Sequence, residues 1–219
     1  MTVLFVIATI ILFLSADWIL HRVRGRSLAP ERPAAKSHPI RLPEGIFFSP
    51  SHTWLSLFPS GKIRLGIDDF ISSLVDMPDI KLLKNPGESI RRGDPLILLQ
   101  EGGHTLTIRS PLSGKILAIN EDLPGNPALL KERLFIDGWS YVIKPEKLNE
   151  IKRMLIGAES QAWIRNEFRR LRDLFAGLSK NGSLQPAFLQ DGGPPVAGVL
   201  RTMDDAVWKQ LDREFLEVQ

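Results

Sequence analysis

The segment RGDPLILLQEGGHTLTIRSP, residues 92–111, decides the fold. Residues 96–100 and 105–109 are short runs rich in Leu, Ile and Thr, the pattern of two half-buried strands. Between them Gly102-Gly103 suits a tight turn, because glycine adopts positive φ without a steric penalty. Working outward, Arg92-Gly93-Asp94-Pro95, Asn85-Pro86-Gly87, Ser113-Gly114 and Pro124-Gly125 mark further turns. They separate strand candidates at 46–48, 54–58, 62–67, 80–83, 115–119 and 139–143. Pro59-Ser60-Gly61 joins two of these as a second hairpin. Residues 68–74 suit one short helix with an acidic first turn, Asp68-Asp69. Many short strands with frequent turns predict a small sandwich or barrel.

The ends of the chain differ from this middle. Residues 2–20, TVLFVIATIILFLSADWIL, carry Asp17 as their only charge. At ~1.5 Å per residue this stretch just crosses a hydrocarbon core of ~30 Å. Trp18 would then sit at a headgroup layer. A cleaved signal peptide is the competing reading, and a buried helix the third. No Lys or Arg precedes the apolar run, no A-x-A-like pair follows it, and no Cys is present for lipid attachment. The expectation is one N-terminal transmembrane helix, residues 1–20. Arg22, Arg24 and Arg26 follow directly, which by the positive-inside bias places the C-terminal bulk in the cytoplasm. The same arginines read either as a solvated flank or as a contact for anionic lipid. Residues 21–43, basic and holding Pro30, Pro33, Pro39 and Pro43, read as an extended linker.

The C-terminal part, 148–219, reads as a helical extension. Pro145 can open a helix, with Leu148, Ile151 and Leu155 on one face. Over 158–179, Ile164, Phe168, Leu171, Phe175 and Leu178 follow 4-3-4-3 spacing, an amphipathic stripe. Arg165, Arg169, Arg170 and Arg172 occupy other faces. The helix either packs on its own domain or docks a partner or the inner leaflet. Residues 181–198 form a Gly/Pro-rich loop. Thr202 with Asp205 resembles a capping box that opens a last helix, with Val207, Leu211, Phe215 and Val218 inward.

Composition narrows the chemistry. Of 219 residues, 43% are apolar and 24% charged, which excludes wholesale disorder and a polytopic membrane protein. Zero Cys excludes thiolate zinc sites, iron–sulfur clusters and a Cys nucleophile. The net charge of +3 is too small to imply nucleic acid, and no basic-aromatic interleaving is present. His21, His38, His52 and His104 form no H-x-x-H or H-E-x-x-H pair. His52 reads as ordering the start of the strand region. His104 reads as an exposed tip residue, with partner or metal contact the sharper alternative. Asp68 and Asp69 suit capping rather than acid–base work. Glu101, beside the tip, reads as solvated. No nucleophile–base pair, phosphate loop or metal constellation is found, so an enzyme is not expected, nor a small-molecule substrate.

Several stretches recur together. Ser51-His52-Thr53-Trp54, Leu65-Gly66-Ile67-Asp68-Asp69-Phe70, Gly87-Glu88-Ser89-Ile90-Arg91-Arg92-Gly93, Ser110-Pro111-Leu112-Ser113-Gly114-Lys115-Ile116 and Gly138-Trp139 stand in the order and spacing of one family. Residues 44–147 thus resemble the glycine cleavage system H protein. The resemblance implies a lipoyl-like barrel-sandwich hybrid, so the expected architecture is mainly β with a helical C-terminal extension. It also implies a hairpin that presents a lysine for amide-linked lipoate. Aligning on Pro111 puts Gly103 at that position; aligning on Glu101 puts His104 there. Glycine has no side chain, and imidazole forms no stable amide with a carboxylic acid. No lysine stands between Arg92 and Lys115. The vacant position, Gly102-Gly103-His104, implies a chain with no lipoate and no other cofactor. The expected role is a membrane-tethered protein-binding module with an unidentified protein partner. Glu101, His104, Arg165, Arg169 and Arg172 are the candidate contacts. Two alternatives stand beside it: a lipoyl carrier in glycine cleavage or lipoate transfer, and an adaptor of an efflux or secretion assembly.

Overall fold

The computed structural model describes residues 41–180 and 198–217. The expected span, Trp18, Arg22, Arg24 and Arg26, the linker up to residue 40, the loop 181–197 and Val218 lie outside the described residues, as does the Leu178 side chain. Among the described residues no helix is long and apolar enough to cross a membrane.

Short strands alternate with tight turns, as the glycine and proline punctuation requires. The strands are β1 (Phe47–Ser49), β2 (Thr53–Leu57), β3 (Ile63–Ile67), β4 (Asp79–Leu82), β5 (Ser89–Ile90), β6 (Pro95–Glu101), β7 (His104–Arg109), β8 (Gly114–Ile119) and β9 (Trp139–Pro145). One sheet has the order β1-β2-β3-β9-β8-β5, and a second has β4-β6-β7. Every pairing is antiparallel. Inward positions alternate along each strand and meet in one core, with Leu65, Ile116 and Ile143 from one sheet and Ile80, Leu99 and Leu106 from the other.

Helix α1 (Asp69–Leu74) follows β3 and buries Phe70, Ile71 and Leu74. Two one-turn helices, α2 (Asp122–Gly125) and α3 (Leu129–Glu132), cross between β8 and β9. On the far face of the large sheet Trp54 lies flat over Gly66. A Cβ on Gly66 would stand 2.7 Å from the indole, so only glycine admits the ring there.

Helix α4 (Ala158–Lys180) turns its apolar stripe inward. Ile164, Phe168, Leu171 and Phe175 are all buried in the same core as the strands. This helix therefore packs on its own domain. A 3-10 turn (Val199–Thr202) and α5 (Asp205–Leu211) follow, and α5 runs on through a wider π-type turn at Asp212–Leu216. Leu200, Trp208, Leu211, Phe215 and Leu216 join that core.

The structure departs from the sequence reading in several places. Pro145 closes β9 instead of opening a helix. Residues Leu148–Arg153 form a 3-10 helix, Leu148 is 58% exposed, and Leu155 exchanges two backbone hydrogen bonds with Phe48. The edge of β1 supplied partners that the isolated pattern could not reveal. The cap of α5 is Asp204, whose carboxylate accepts from Val207 N, while Thr202 donates its hydroxyl to Val199 O. Strand β5, two residues long, carries too little pattern to be read.

Gly66→Ala is expected to lower stability by about 1–3 kcal/mol, because the indole of Trp54 must move. Urea titration reads it as a lower midpoint with an unchanged slope; an unchanged midpoint would show that the ring has room.

Candidate functional site

The tip of the β6–β7 hairpin is a two-residue turn. Glu101 and His104 form the closing pair, and Gly102 and Gly103 take φ of 60° and 86°. Both values lie in the left-handed region, as a type I′ turn requires. The side chains beside the turn are engaged by the same chain. Glu101 accepts from the backbone N–H groups of Asp76 and Met77 at 2.9–3.2 Å, so it caps the loop after α1 rather than standing in solvent. His104 stacks on Trp208 with ring centroids 5.5 Å apart, and its Nδ1 lies 3.5 Å from Asp205 Oδ1. Lys209 and, less, His104 hold the Asp205 carboxyl below its usual range.

The C-terminal segment continues along β7. Asp212 Oδ1 accepts from Thr107 N at 2.7 Å, satisfying an amide on the edge of the small sheet. Burial pushes the Asp212 carboxyl up, partly offset by that hydrogen bond. Trp208 Nε1 donates to Leu200 O, and Gly198 N to Ser73 O. An amine also stands in this region. Lys131 Nζ donates to the carbonyls of Ser72 and Val75 at the end of α1. Burial pushes its pKa down against the attraction of Asp76, Asp69 and Glu101.

A second cluster of charges centres on the buried His52, Asp68 and Glu167. His52 ends the turn between β1 and β2 with φ of 58°, unusual for a side-chain-bearing residue. Its Nδ1 lies 2.8 Å from Asp68 Oδ2, and its Nε2 lies 3.9 Å from Glu167 Oε2. The ring stacks on Phe70 at 4.2 Å and tilts against Trp163 at 5.1 Å. Asp68 also caps α1 through Ile71 N. Arg170 Nη1 reaches Glu167 at 2.7 Å, its Nη2 reaches Glu214 O, and its guanidinium covers the Phe215 ring. Burial opposes the charge on His52, but attraction and hydrogen bonding from Asp68, with help from Glu167, win and raise its pKa. Burial likewise opposes the Glu167 carboxylate, and His52 and then Arg170 win and lower its pKa. The ring is sealed from solvent, so this cluster joins elements rather than meeting a substrate.

The remaining sequence candidates separate. Asp69 pairs with Arg41 through Nη2 at 2.7 Å and through the Arg41 backbone N–H, tying the end of the linker to α1. Arg165 and Arg169 are exposed on α4 and Arg172 is half-buried, away from the tip residues in sequence and element. No group of three or more His, Cys, Asp or Glu that could hold a metal exists among the described residues. A cleft of about 540 Å³ beside α2 is lined by Asn120, Glu121, Asp122, Asn126, Asp137 and Trp139 among others. Its buried Asn120 is already satisfied by Asp137 O, Trp139 O and Asp122 N. Sequence reasoning missed Glu167, Trp208 and Asp212. Glu167 had a signal: it sits at the edge of the apolar stripe, between Ile164 and Leu171, where a carboxylate needs a buried partner.

In sequence the chain is similar to one family of known proteins. The family model described as "Glycine cleavage H-protein" matches residues 46–167. A glycine cleavage system H protein from Oceanobacillus iheyensis is 29% identical over 129 residues, covering 58% of this chain and all of that protein. One from Hydrogenovibrio crunogenus is 31% identical over 124 residues, covering 56% and 95%. A crystal structure of a glycine cleavage system H protein from Mycobacterium marinum aligns at 21% identity with a TM-score of 0.45, over 54% of this chain and 94% of that one.

Two outcomes follow from the geometry. The raised His52 contributes stability that is complete below its unfolded value of 6.5 and is lost as pH rises through its folded value. The lowered Glu167 contributes stability above its unfolded value of 4.5 that is lost as pH falls. Unfolding free energy against pH is thus a dome, and Glu167→Gln is expected to cost about 3 kcal/mol near neutrality. Wild-type and variant curves of equal height would remove the cluster from the stability of the protein. Separately, Asp212→Ala is expected to speed hydrogen exchange at the Thr107 amide about tenfold or more; an unchanged rate would mean that the tail does not seal β7.

Proposed function

This chain belongs to the glycine cleavage H-protein family, and from that premise we propose that it is a non-enzymatic member that binds protein instead of carrying lipoate. One observation carries the reading: the β6–β7 hairpin, where the family resemblance places the modified lysine, contains no lysine from Gly93 to Gly114. A swinging arm needs a primary amine on a long stem. At the tip this chain offers Gly102, Gly103 and an imidazole stacked on Trp208. The nearby amine, Lys131, is directed at backbone carbonyls.

On this reading the molecule works as a folded surface. The apolar stretch 2–20 and the arginines after it tether it to the cytoplasmic side of a membrane as a single-pass protein. The exposed arginines of α4, Arg165 and Arg169, with Arg172 at their margin, face a protein partner. The four parts are the tether, the linker 21–43, the H-protein-like domain 44–147 and the extension 148–219. The names of the relatives support a second reading, in which the chain is itself a carrier.

Intact mass separates the two. Protein purified from lipoate-replete cells is expected to match the unmodified chain. A dithiolane adduct on any lysine, located by peptide mapping, would overturn the proposal and restore the carrier.

A further inference from the structure

On the outer face of the large sheet, Lys115 of β8 and Lys144 of β9 are direct cross-strand partners. On the other side of β9, Ile63 at the start of β3 pairs with Ile143, and Lys62 directly precedes it at the end of the strand nearest Lys144. Ile143 and Ile116 point into the core, which by strand alternation turns Lys144 and Lys115 outward, and these two and Lys62 are all exposed. The result is three exposed lysines side by side, on β8, on β9 and at the start of β3, whose backbones stand ~4.8 Å apart from one strand to the next. Like charges set directly opposite one another disfavour the sheet. The row is not neutralised from within. Among the described residues no carboxylate stands within 4 Å of any of the three ammonium groups, and Glu88, next to the β5 residue that pairs with Lys115, is taken by Asn85 and Lys84. Arg64, on the same face, is folded over Phe58 and Trp139.

We infer that the Lys62–Lys144–Lys115 row is a docking surface for anionic lipid headgroups, by which the domain lies down on the membrane that its N-terminus enters. This rests on the tethered reading. Charge complementarity carries it first: three neighbouring cations with no carboxylate partner among the described residues fit a surface of phosphates and carboxylates. The chain outside the described residues carries it second. Twenty residues separate Leu20 from Arg41. At ~3.3–3.6 Å each they reach up to about 70 Å, well past the width of a domain whose radius of gyration is about 16 Å. Any face can therefore meet the bilayer, and the charge selects this one.

The test is lysine footprinting on the full chain. The protein is mixed with vesicles of phosphatidylcholine alone or of phosphatidylcholine with phosphatidylserine, pulsed with an acetylating N-hydroxysuccinimide ester and mapped by mass spectrometry. Labelling at Lys62, Lys115 and Lys144 is expected to fall about fivefold on the anionic vesicles and to recover in high salt, as screening requires. Lys81 and Lys209, paired with Asp79 and Asp205, are expected to label equally on both. Equal labelling of the row on both vesicles would overturn the inference, as would an equal fall at Lys81 and Lys209. Protection by soluble polyglutamate but not by vesicles would assign the row to an acidic protein and overturn the lipid reading. Flotation after an alkaline wash reads the tether separately. A chain stripped by the wash loses the tethered reading, while salt-sensitive protection by anionic vesicles would still support the row.

Discussion

A protonatable ring sealed between two carboxylates holds this molecule together. His52 comes from the first turn of the β structure, Asp68 from the start of α1 and Glu167 from the middle of α4. Each charge would be costly alone in the core, and each is tolerated because the others are present. The arrangement makes the helical extension a structural partner of the β domain. Removing α4 would take the Glu167 carboxylate from His52 and would bare the Phe70 face that Phe168 covers. The positive φ of His52 fits this role: a sparsely populated backbone is held in place by a side chain with nowhere else to go.

The terminal segment depends on the same centre. Phe215 stacks near Phe70 and lies beneath the Arg170 guanidinium, which also grips Glu167 and Glu214 O. From this anchor the segment runs back along β7, where Asp212 takes the Thr107 amide and Trp208 covers His104. The edge of the small sheet and one side of the hairpin tip are thereby closed by the chain itself. The large sheet carries open charge of its own: on its outer face Lys62, Lys115 and Lys144 are exposed.

Much of this was legible residue by residue. Alternation of apolar and polar residues placed the longer strands to within a residue or two, because strand faces repeat every second position. The 4-3-4-3 stripe of Ile164, Phe168, Leu171 and Phe175 placed α4 for the corresponding reason. Asp68 was readable as a cap because its side chain acts on an amide three residues away. What failed was decided at long range. Leu148 looked inward until β1 took Leu155 as a backbone partner and left Leu148 in solvent. Glu101 looked solvated until the loop after α1 brought two unsatisfied amides to it.

Local periodicity, turn chemistry and the absence of a lysine were fixed by the order of residues, since each acts over a few positions along the chain. The meeting of His52 with Glu167, separated by more than a hundred residues, was fixed only by folding. So were the covering of the tip by Trp208 and the alignment of Lys62 with Lys144 and Lys115. Register and packing bring such groups together, and no spacing along a single strand or helix encodes a distance measured through the core.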